Sequence, residues 1–231
     1  MKYKFLSIAI FFLFSFTTTN KINTYNSKVI YSSALSKEVE AESLYHKLNC
    51  NKFELPNLNC FTEALTGFYE LKQKGLIEKD IITLIDFSLS SNVKRLWIID
   101  LATNSILMNT FVAHGMNTGE EFATSFSNAT SSLKSSLGFY STGEIYNGKH
   151  GLSLKLDGLE KGVNDNARDR GIVMHAADYV STSFIKNNNR LGRSQGCPAI
   201  PEELTPQIIQ MIKNKSCLFI YHPSRTTSSK A

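Results

Sequence analysis

The second half of the chain consists of short apolar runs that are separated by clusters of glycine, asparagine and serine. The runs are rich in β-branched and aromatic side chains, a composition typical of β-strands. They occupy residues 95–101, 106–113, 138–146, 153–159, 171–175 and 217–221. Strands of this length with turns between them predict a sheet that is folded into a sandwich or a barrel. We therefore expect a mainly β domain over residues 91–225.

The segment before this domain has a different hydrophobic period. Apolar side chains over residues 37–90 recur at the three- and four-residue spacing of a helix face. Examples are Phe61, Leu65, Phe68 and Leu71, after which Gly75 is a natural helix stop. We predict a helical N-terminal region over residues 37–90.

The first twenty residues have the layout of a secretory signal peptide. A basic start is followed by an apolar run over residues 5–16 and a polar stretch over residues 17–20. The apolar run is shorter than the roughly 20 residues that span a bilayer, which favours removal after export. We expect an exported protein of the periplasm or cell envelope, tethered to the membrane only if this signal, residues 1–20, is not cleaved. Residues 21–36 are rich in Ser, Thr, Asn and Lys and are expected to form a flexible segment.

Composition and charge exclude several classes of protein. With 42% hydrophobic and 19% charged residues, the chain has the composition of an ordinary globular protein. The net charge of +5 comes from scattered Lys and Arg residues, without the basic run that nucleic-acid binding needs. No nucleic-acid partner is therefore expected.

The sequence does not determine which of the four cysteines, if any, form disulfide bonds. In an exported protein disulfides persist, and three full pairings of Cys50, Cys60, Cys197 and Cys217 can form. Cys50 and Cys60 are close enough in sequence for a local bridge. The Cys and His residues lack the short paired spacing of a zinc site, so we predict no metal.

One cysteine lies in a constrained turn. Cys197 follows Gly196 and precedes Pro198, and both neighbours restrict the backbone around the thiol. Such a turn can aim the amides of Gly196 and Cys197 at one point and form an oxyanion hole. A thiol with an ordinary pKa of about 8.5 also needs a base. His175 ends the apolar run 171–174, at a strand end where catalytic groups commonly lie, and we predict that it is this base.

The segments around these two residues resemble the murein L,D-transpeptidases of the YkuD type, in the branch whose cysteine is followed by proline. The likeness extends over roughly residues 91–222 and keeps the order of that branch. The matching segments are 113–115, 123–128, 136–140, 146–151, 171–177, 179–181 and 192–199. The last of them reads Gly192-Arg193-Ser194-Gln195-Gly196-Cys197-Pro198-Ala199.

This resemblance implies a β-sandwich catalytic domain that uses no metal or organic cofactor. The family's cysteine attacks the carbonyl of the diamino residue in a peptidoglycan stem tetrapeptide and expels D-alanine. A side-chain amine of a neighbouring stem then accepts the acyl group, which makes a 3→3 cross-link. The implied partners are therefore peptidoglycan stem peptides.

Carried over residue by residue, the resemblance makes Cys197 the nucleophile and His175 the base. Ser194, Gln195 and Gly196 belong to the motif that shapes the cysteine turn and its oxyanion hole. Gln195 stands where the commoner motif has a second histidine, and a glutamine side chain cannot titrate.

For the substrate side of the site we predict three further residues. Arg193 is expected to meet a substrate carboxylate, and His150 or His114 could replace the missing histidine. Two other functions use the same motif. With water as acceptor, the protein would be an L,D-carboxypeptidase or a cysteine amidase on wall peptides. The loss of the histidine at Gln195 also fits a wall-binding protein without catalysis.

Overall fold

The computed structural model describes residues 39–225, which belong to one compact unit. The predicted signal peptide of residues 1–20 and the predicted flexible segment of residues 21–36 lie outside these residues. Within the described part, no helix has the length and hydropathy needed to cross a bilayer. All four cysteines are free thiols, so the local bridge between Cys50 and Cys60 is not formed.

The fold is built on one mixed sheet of eight strands. The strands are β1 (Ile81–Asp86), β2 (Leu96–Asp100), β3 (Ser105–Thr110), β4 (Gly138–Gly148), β5 (Gly151–Gly158), β6 (Val173–Ala176), β7 (Ala199–Ile200) and β8 (Cys217–Tyr221). Their order in the sheet is β3-β2-β1-β8-β4-β5-β6-β7. Beyond the end of β3, Ala113 pairs with Ala199 of β7, so the two edges of the sheet meet in a nearly closed barrel. The prediction of a mainly β fold is confirmed.

Strand β1 corrects the predicted helical region. Residues 81–86 form a strand that pairs with β2 on one side and with β8 on the other. The run Ile81-Ile82-Thr83-Leu84-Ile85 is rich in β-branched side chains, which favour a pleated strand over a helix. Because β1 lies inside the sheet, residue 90 does not separate a helical region from the β domain.

The helices cover the sheet and its connections. A helical segment covers residues 39–46, followed by α1 (Leu58–Gln73), α2 (Thr182–Asn188), a 3-10 turn (Glu202–Leu204) and α3 (Thr205–Ile212). Helix α1 begins where the Asn57 side chain accepts hydrogen bonds from the amides of Asn59 and Cys60. It ends before Gly75, whose φ of +70° suits glycine.

Both faces of the central strands are buried. In β8, Leu218 and Ile220 join one hydrophobic core, while Cys217 and Phe219 join the other. The second core packs against α1 through residues such as Phe61 and is distinct from the first. This explains why β8 reads as an unbroken apolar run rather than an alternating one.

Candidate active site

A cleft of about 690 Å³ opens at the end of the sheet where β6 and β7 lie side by side. Its walls come from the tip of the β4–β5 hairpin, from the chain leading into β6, and from the loop around residues 130–133. The polar and reactive side chains in the lining include Lys149, His150, Ser153, Asp169, Arg170, His175, Tyr179, Arg193, Ser194, Gln195 and Cys197.

The parallel pairing of β6 with β7 brings Cys197 and His175 into this cleft. His175 is paired with Ala199, and Cys197 therefore lies two residues earlier, opposite Val173. The Val173 amide lies 3.5 Å from the Cys197 sulfur, and that sulfur is 3.8 Å from the carbonyl oxygen of Gly171. Among the described residues no hydrogen bond joins the thiol to the His175 ring. Such bonds often tighten only when the substrate binds.

The hydrogen bond of His175 fixes its tautomer. Its Nδ1 lies 2.8 Å from the carbonyl oxygen of Ala176, and because a carbonyl only accepts, Nδ1 carries the proton. In the neutral ring Nε2 is then unprotonated. Burial lowers the pKa of His175, with smaller contributions from His150 and Lys149, so the ring is neutral at pH 7. His175 therefore has the protonation state of a general base.

The thiol of Cys197 is protonated at neutral pH. Burial raises its pKa, and this effect exceeds the opposing effects of the Val173 amide, Arg170 and Lys149. A protonated thiol is a weak nucleophile. The site thus pairs a thiol that needs deprotonation with a neutral imidazole in the same cleft.

Ser194 shapes the cysteine turn. Its hydroxyl accepts a hydrogen bond from the Gly196 amide at 3.0 Å and donates one to the Cys197 carbonyl at 2.6 Å. Gly196 has a φ of +125°, and a Cβ there would lie 2.9 Å from the Lys134 carbonyl oxygen. Its amide is bonded to Ser194 in this structure, and donation from Gly196 to an oxyanion would require that bond to break, so the oxyanion role of Gly196 stays a prediction. The motif residues act on the shape of the turn.

A second layer supports this turn from behind. The Ser135 hydroxyl donates to the Gly196 carbonyl and accepts from the Gly115 amide, each at 3.0 Å. A Cβ on Gly115 would lie 2.9 Å from the Gly196 Cα, so the two glycine backbones are in close contact. Sequence reasoning missed Ser135, because a serine in a serine-rich loop carries no signal of its own.

Two residues near the motif lie where substrate can reach them. Gln195 is exposed and lines the cleft. His150, at the tip of the β4–β5 hairpin, stacks on His175 with 4.4 Å between ring centroids and 23° between planes. Of the two histidines considered as replacements for the motif histidine, His150 is the one in the cleft.

His114 was predicted to lie on the substrate side of the site, and the structure corrects this prediction. It is 1% exposed, and Arg95 donates a 2.8 Å hydrogen bond to its Nδ1. Its Nε2 donates to the carbonyl of Gly119 at 3.2 Å. Burial, reinforced by Arg95, lowers its pKa to about 4. His114 is therefore a neutral structural histidine beneath the surface, and it does not line the cleft.

Arg193 lines the cleft, but its charge is already engaged. Its Nη1 lies 2.6 Å from a Glu120 carboxylate oxygen and also donates to the carbonyls of Met116 and Gly119. These three contacts all use Nη1, and within the described residues Nε and Nη2 of Arg193 have no hydrogen-bond partner, so the prediction that Arg193 meets a substrate carboxylate stays a prediction. Its visible role is to hold residues 116–120 beside the cysteine turn.

Three other residues of the cleft were not predicted as functional. Lys149 lies beside His150 at the hairpin tip, and Arg170 precedes β6. Tyr179 forms part of the wall, and burial raises its pKa to about 12. Lys149 and Tyr179 fall within segments that carry the family resemblance, whereas Arg170 lies just before one.

Several solved structures are similar to this chain at low identity. The L,D-transpeptidase from Mycobacterium smegmatis is 9% identical, with a TM-score of 0.37, over 62% of this chain and 59% of that one. The helical cell shape determining protein Pgp2 from Campylobacter jejuni is 14% identical, with a TM-score of 0.40, over 66% of this chain and 55% of that one. The chain therefore spans less than two thirds of these relatives.

No curated protein matches the chain. The family model of the L,D-transpeptidase catalytic domain matches residues 54–221, which is well over half of the sequence. The match includes helix α1, strand β1 and the whole cleft, and begins earlier than the resemblance identified from the motifs. The chain belongs to the family of L,D-transpeptidase catalytic domains.

Proposed function

We propose that this protein is a peptidoglycan L,D-transpeptidase in which Cys197 is the nucleophile and His175 the general base. The observation that carries the proposal is that both side chains line the same cleft. The thiol is in contact with the Val173 amide, and the imidazole has an unprotonated Nε2. Membership of the family supports the substrate class, which is the stem peptide of peptidoglycan.

In the first half-reaction, Nε2 of His175 takes the proton of the Cys197 thiol. The sulfur then forms a bond to the carbonyl carbon of the diamino residue, and the bond from that carbon to the D-alanine nitrogen breaks. The proton on His175 passes to the leaving amine. The product of this step is a thioester on Cys197 and free D-alanine.

In the second half-reaction, a side-chain amine of another stem attacks the thioester carbon. His175 accepts the proton of this amine as the new amide bond forms, and the carbon–sulfur bond breaks. The thiolate of Cys197 takes up the proton, which restores the enzyme. The result is a 3→3 cross-link between the two stems.

We further propose that the reaction takes place in the cell envelope. The support is the sequence pattern of residues 1–20, with its basic start and its short apolar run. Its test is fractionation of cells that produce the protein, with mass measurement of the mature N-terminus.

The proposed activity is tested with a purified disaccharide tetrapeptide as both donor and acceptor. We expect cross-linked dimer and free D-alanine, detected by mass spectrometry, and neither product with Cys197→Ala. The matched control is Cys50→Ala, because Cys50 is a free, partly buried cysteine that does not line the cleft.

The products separate this proposal from the two alternatives. Tripeptide and D-alanine without dimer would mean that water is the acceptor, and the protein would be a carboxypeptidase. Binding of the muropeptide without any product, with wild type and Cys197→Ala alike, would mean a wall-binding protein without catalysis.

A further inference from the structure

Arg170 makes an unusual set of contacts for a charged side chain. It lies three residues before β6, and its guanidinium is half-buried under the loop of residues 127–136. Its Nη1 donates to the Ser127 carbonyl at 2.9 Å and to the Ser136 hydroxyl at 2.7 Å. Its Nη2 donates to the Lys134 carbonyl at 2.6 Å and to the Ser132 hydroxyl at 3.3 Å.

Every one of these acceptors is neutral. Within residues 39–225 no carboxylate forms an ion pair with Arg170. Arg168, two residues earlier, is paired with both Asp157 and Glu144 on the surface. Removing a cation from water is costly unless an anion is close by. The half-buried charge of Arg170 therefore lacks the counter-ion that its environment calls for.

The thiolate of Cys197 is a group that can supply negative charge on this side of the guanidinium, since both residues line the same cleft. A Cβ on Gly196, the residue before it, would lie only 3.3 Å from Nη2 of Arg170. Burial lowers the pKa of Arg170, and the charges of Tyr140 and Cys197 oppose that effect. Burial raises the pKa of Cys197, and the Arg170 charge is one of the effects that oppose it. The anion forms at the moment when the thiol becomes a nucleophile.

Other charged or titratable groups also face this thiol. Lys149 lowers the pKa of Cys197 from the hairpin tip, and the Cys197 thiolate raises the pKa of Tyr179 from the opposite wall. The remaining titratable groups that line the cleft are Tyr146, His150, Asp169, His175 and Arg193, and the buried Tyr140 acts on Arg170 from β4. Of the cations in this set, Arg170 has a guanidinium held by four hydrogen bonds, while the exposed Lys149 has no hydrogen bond or ion pair within the described residues.

We propose that Arg170 is a positioning residue that provides the fixed counter-charge of the Cys197 thiolate and holds the loop of residues 127–136 against the cysteine turn. The proposal rests on the proposed function only in taking Cys197 as the nucleophile. Gln195 carries no charge where the commoner motif has a histidine, and Arg170 supplies a permanent positive charge from another part of the fold. Because the guanidinium is already oriented, no reorganisation is needed when the thiolate forms.

The test measures the titration of the thiol and needs no substrate. Wild type, Arg170→Gln, Arg170→Lys and the control Arg168→Gln are alkylated with iodoacetamide over a range of pH. The modified Cys197 peptide is quantified by mass spectrometry, which separates it from the other three cysteines. Melting temperatures are recorded for the same samples, because the loop contacts also contribute to stability.

We expect Arg170→Gln to raise the apparent pKa of Cys197 by about one pH unit or more. Its alkylation near pH 7 should then be about tenfold slower, since the thiolate fraction falls in proportion. Arg170→Lys keeps the charge but loses the fork of hydrogen bonds. It should melt at a lower temperature while its thiol titrates close to wild type, and Arg168→Gln should titrate as wild type.

Two results would overturn the proposal. One is a wild-type titration in Arg170→Gln. The other is an equal rise of the apparent Cys197 pKa in Arg170→Lys and Arg170→Gln. That result would mean that Arg170 only holds the loop in place and that its charge does not act on the thiol. If Arg170→Gln does not fold, the test relies on Arg170→Lys, which keeps the positive charge. A rise of the apparent Cys197 pKa by a full pH unit in Arg170→Lys would contradict the proposal that the charge of residue 170 stabilises the thiolate. A failed muropeptide assay with the expected titrations would reject the transpeptidase activity and leave this inference standing.

Discussion

The stacking of His150 on His175 influences the acid limb of the pH profile of the proposed reaction. At a centroid distance of 4.4 Å, two protonated imidazoles would repel each other strongly, so His150 favours the neutral form of His175. Burial acts in the same direction and is the larger effect. Together they outweigh the hydrogen bond to Ala176, which raises this pKa, so His175 becomes protonated at a lower pH than an ordinary histidine.

We predict that His150→Ala moves the acid limb of the pH profile to higher pH. The variant removes a charge that lowers the pKa of His175, so that pKa rises and the base is protonated earlier as the pH falls. The measurement is kcat/KM for tetrapeptide donor against pH. His46→Ala is the control, because His46 is exposed and outside the cleft. An unchanged acid limb in His150→Ala would mean that His150 does not influence the base.

At the scale of elements, the cysteine turn is held by side chains and backbone from three segments. Ser194 bonds within the turn, and Ser135 of the long loop reaches both Gly196 and Gly115. Gly115 follows the bridge at Ala113 that joins the two edges of the sheet. The position of the thiol thus depends on Ser194, which lines the cleft, and also on Ser135 and Gly115, which do not.

We predict that Gly115→Ala disturbs the cysteine turn. The new Cβ would lie 2.6 Å from the Leu133 carbonyl oxygen and 2.9 Å from the Gly196 Cα, so the backbone has to shift. Overpacking of this kind costs about 1–3 kcal/mol of unfolding free energy. A displacement of the nucleophile of about 1 Å can lower kcat by about 100-fold.

Thermal melting and kcat for tetrapeptide test this prediction. Gly75→Ala is the control, since its Cβ meets nothing within 4 Å but its positive φ strains the backbone far from the cleft. Gly75→Ala should lose stability and keep kcat. Wild-type kcat in Gly115→Ala would contradict the role assigned to the contact between the two glycines.

The limits of sequence reasoning appear at the same scale. The sequence predicts Cys197 and His175 because chemistry restricts which residue types can act, and the structure brings both into one cleft. The sequence singles out Gly196 because a glycine before this cysteine restricts the backbone. The role of Ser135 and the engagement of Arg193 with Glu120 depend on segments far apart in sequence. His114 matched a family segment, but its burial follows from the packing of Arg95, which the sequence pattern does not report.

At the scale of the whole molecule, α1 and β1 are parts of the catalytic fold. The predicted strands after residue 91 overlap β2–β6 and β8, since alternation with turn residues is a local signal. Strand β1 was missed because its apolar run continues the helical spacing of the segment before it. Its two partners, β2 and β8, are adjacent to it only through tertiary pairing.

We predict that a chain of residues 91–225 does not fold, whereas residues 39–225 do. Removing β1 opens the sheet between β2 and β8 and exposes the buried side chains of Ile82, Leu84 and Ile85. Circular dichroism and thermal melting of the two chains test this expectation. A cooperative unfolding transition in residues 91–225 would show that the β domain is independent of the preceding segment.

The proposed mechanism requires Cys197 to form an acyl-enzyme, and the intact mass of the protein after exposure to an acylating agent shows whether it does. A carbapenem is the reagent, as the family resemblance implies. We predict a mass gain of one carbapenem on the wild type and on Cys50→Ala, and no gain on Cys197→Ala. An adduct that persists in Cys197→Ala, or a wild type that stays unmodified although Cys197 is a free thiol, would show that Cys197 is not the acylated nucleophile.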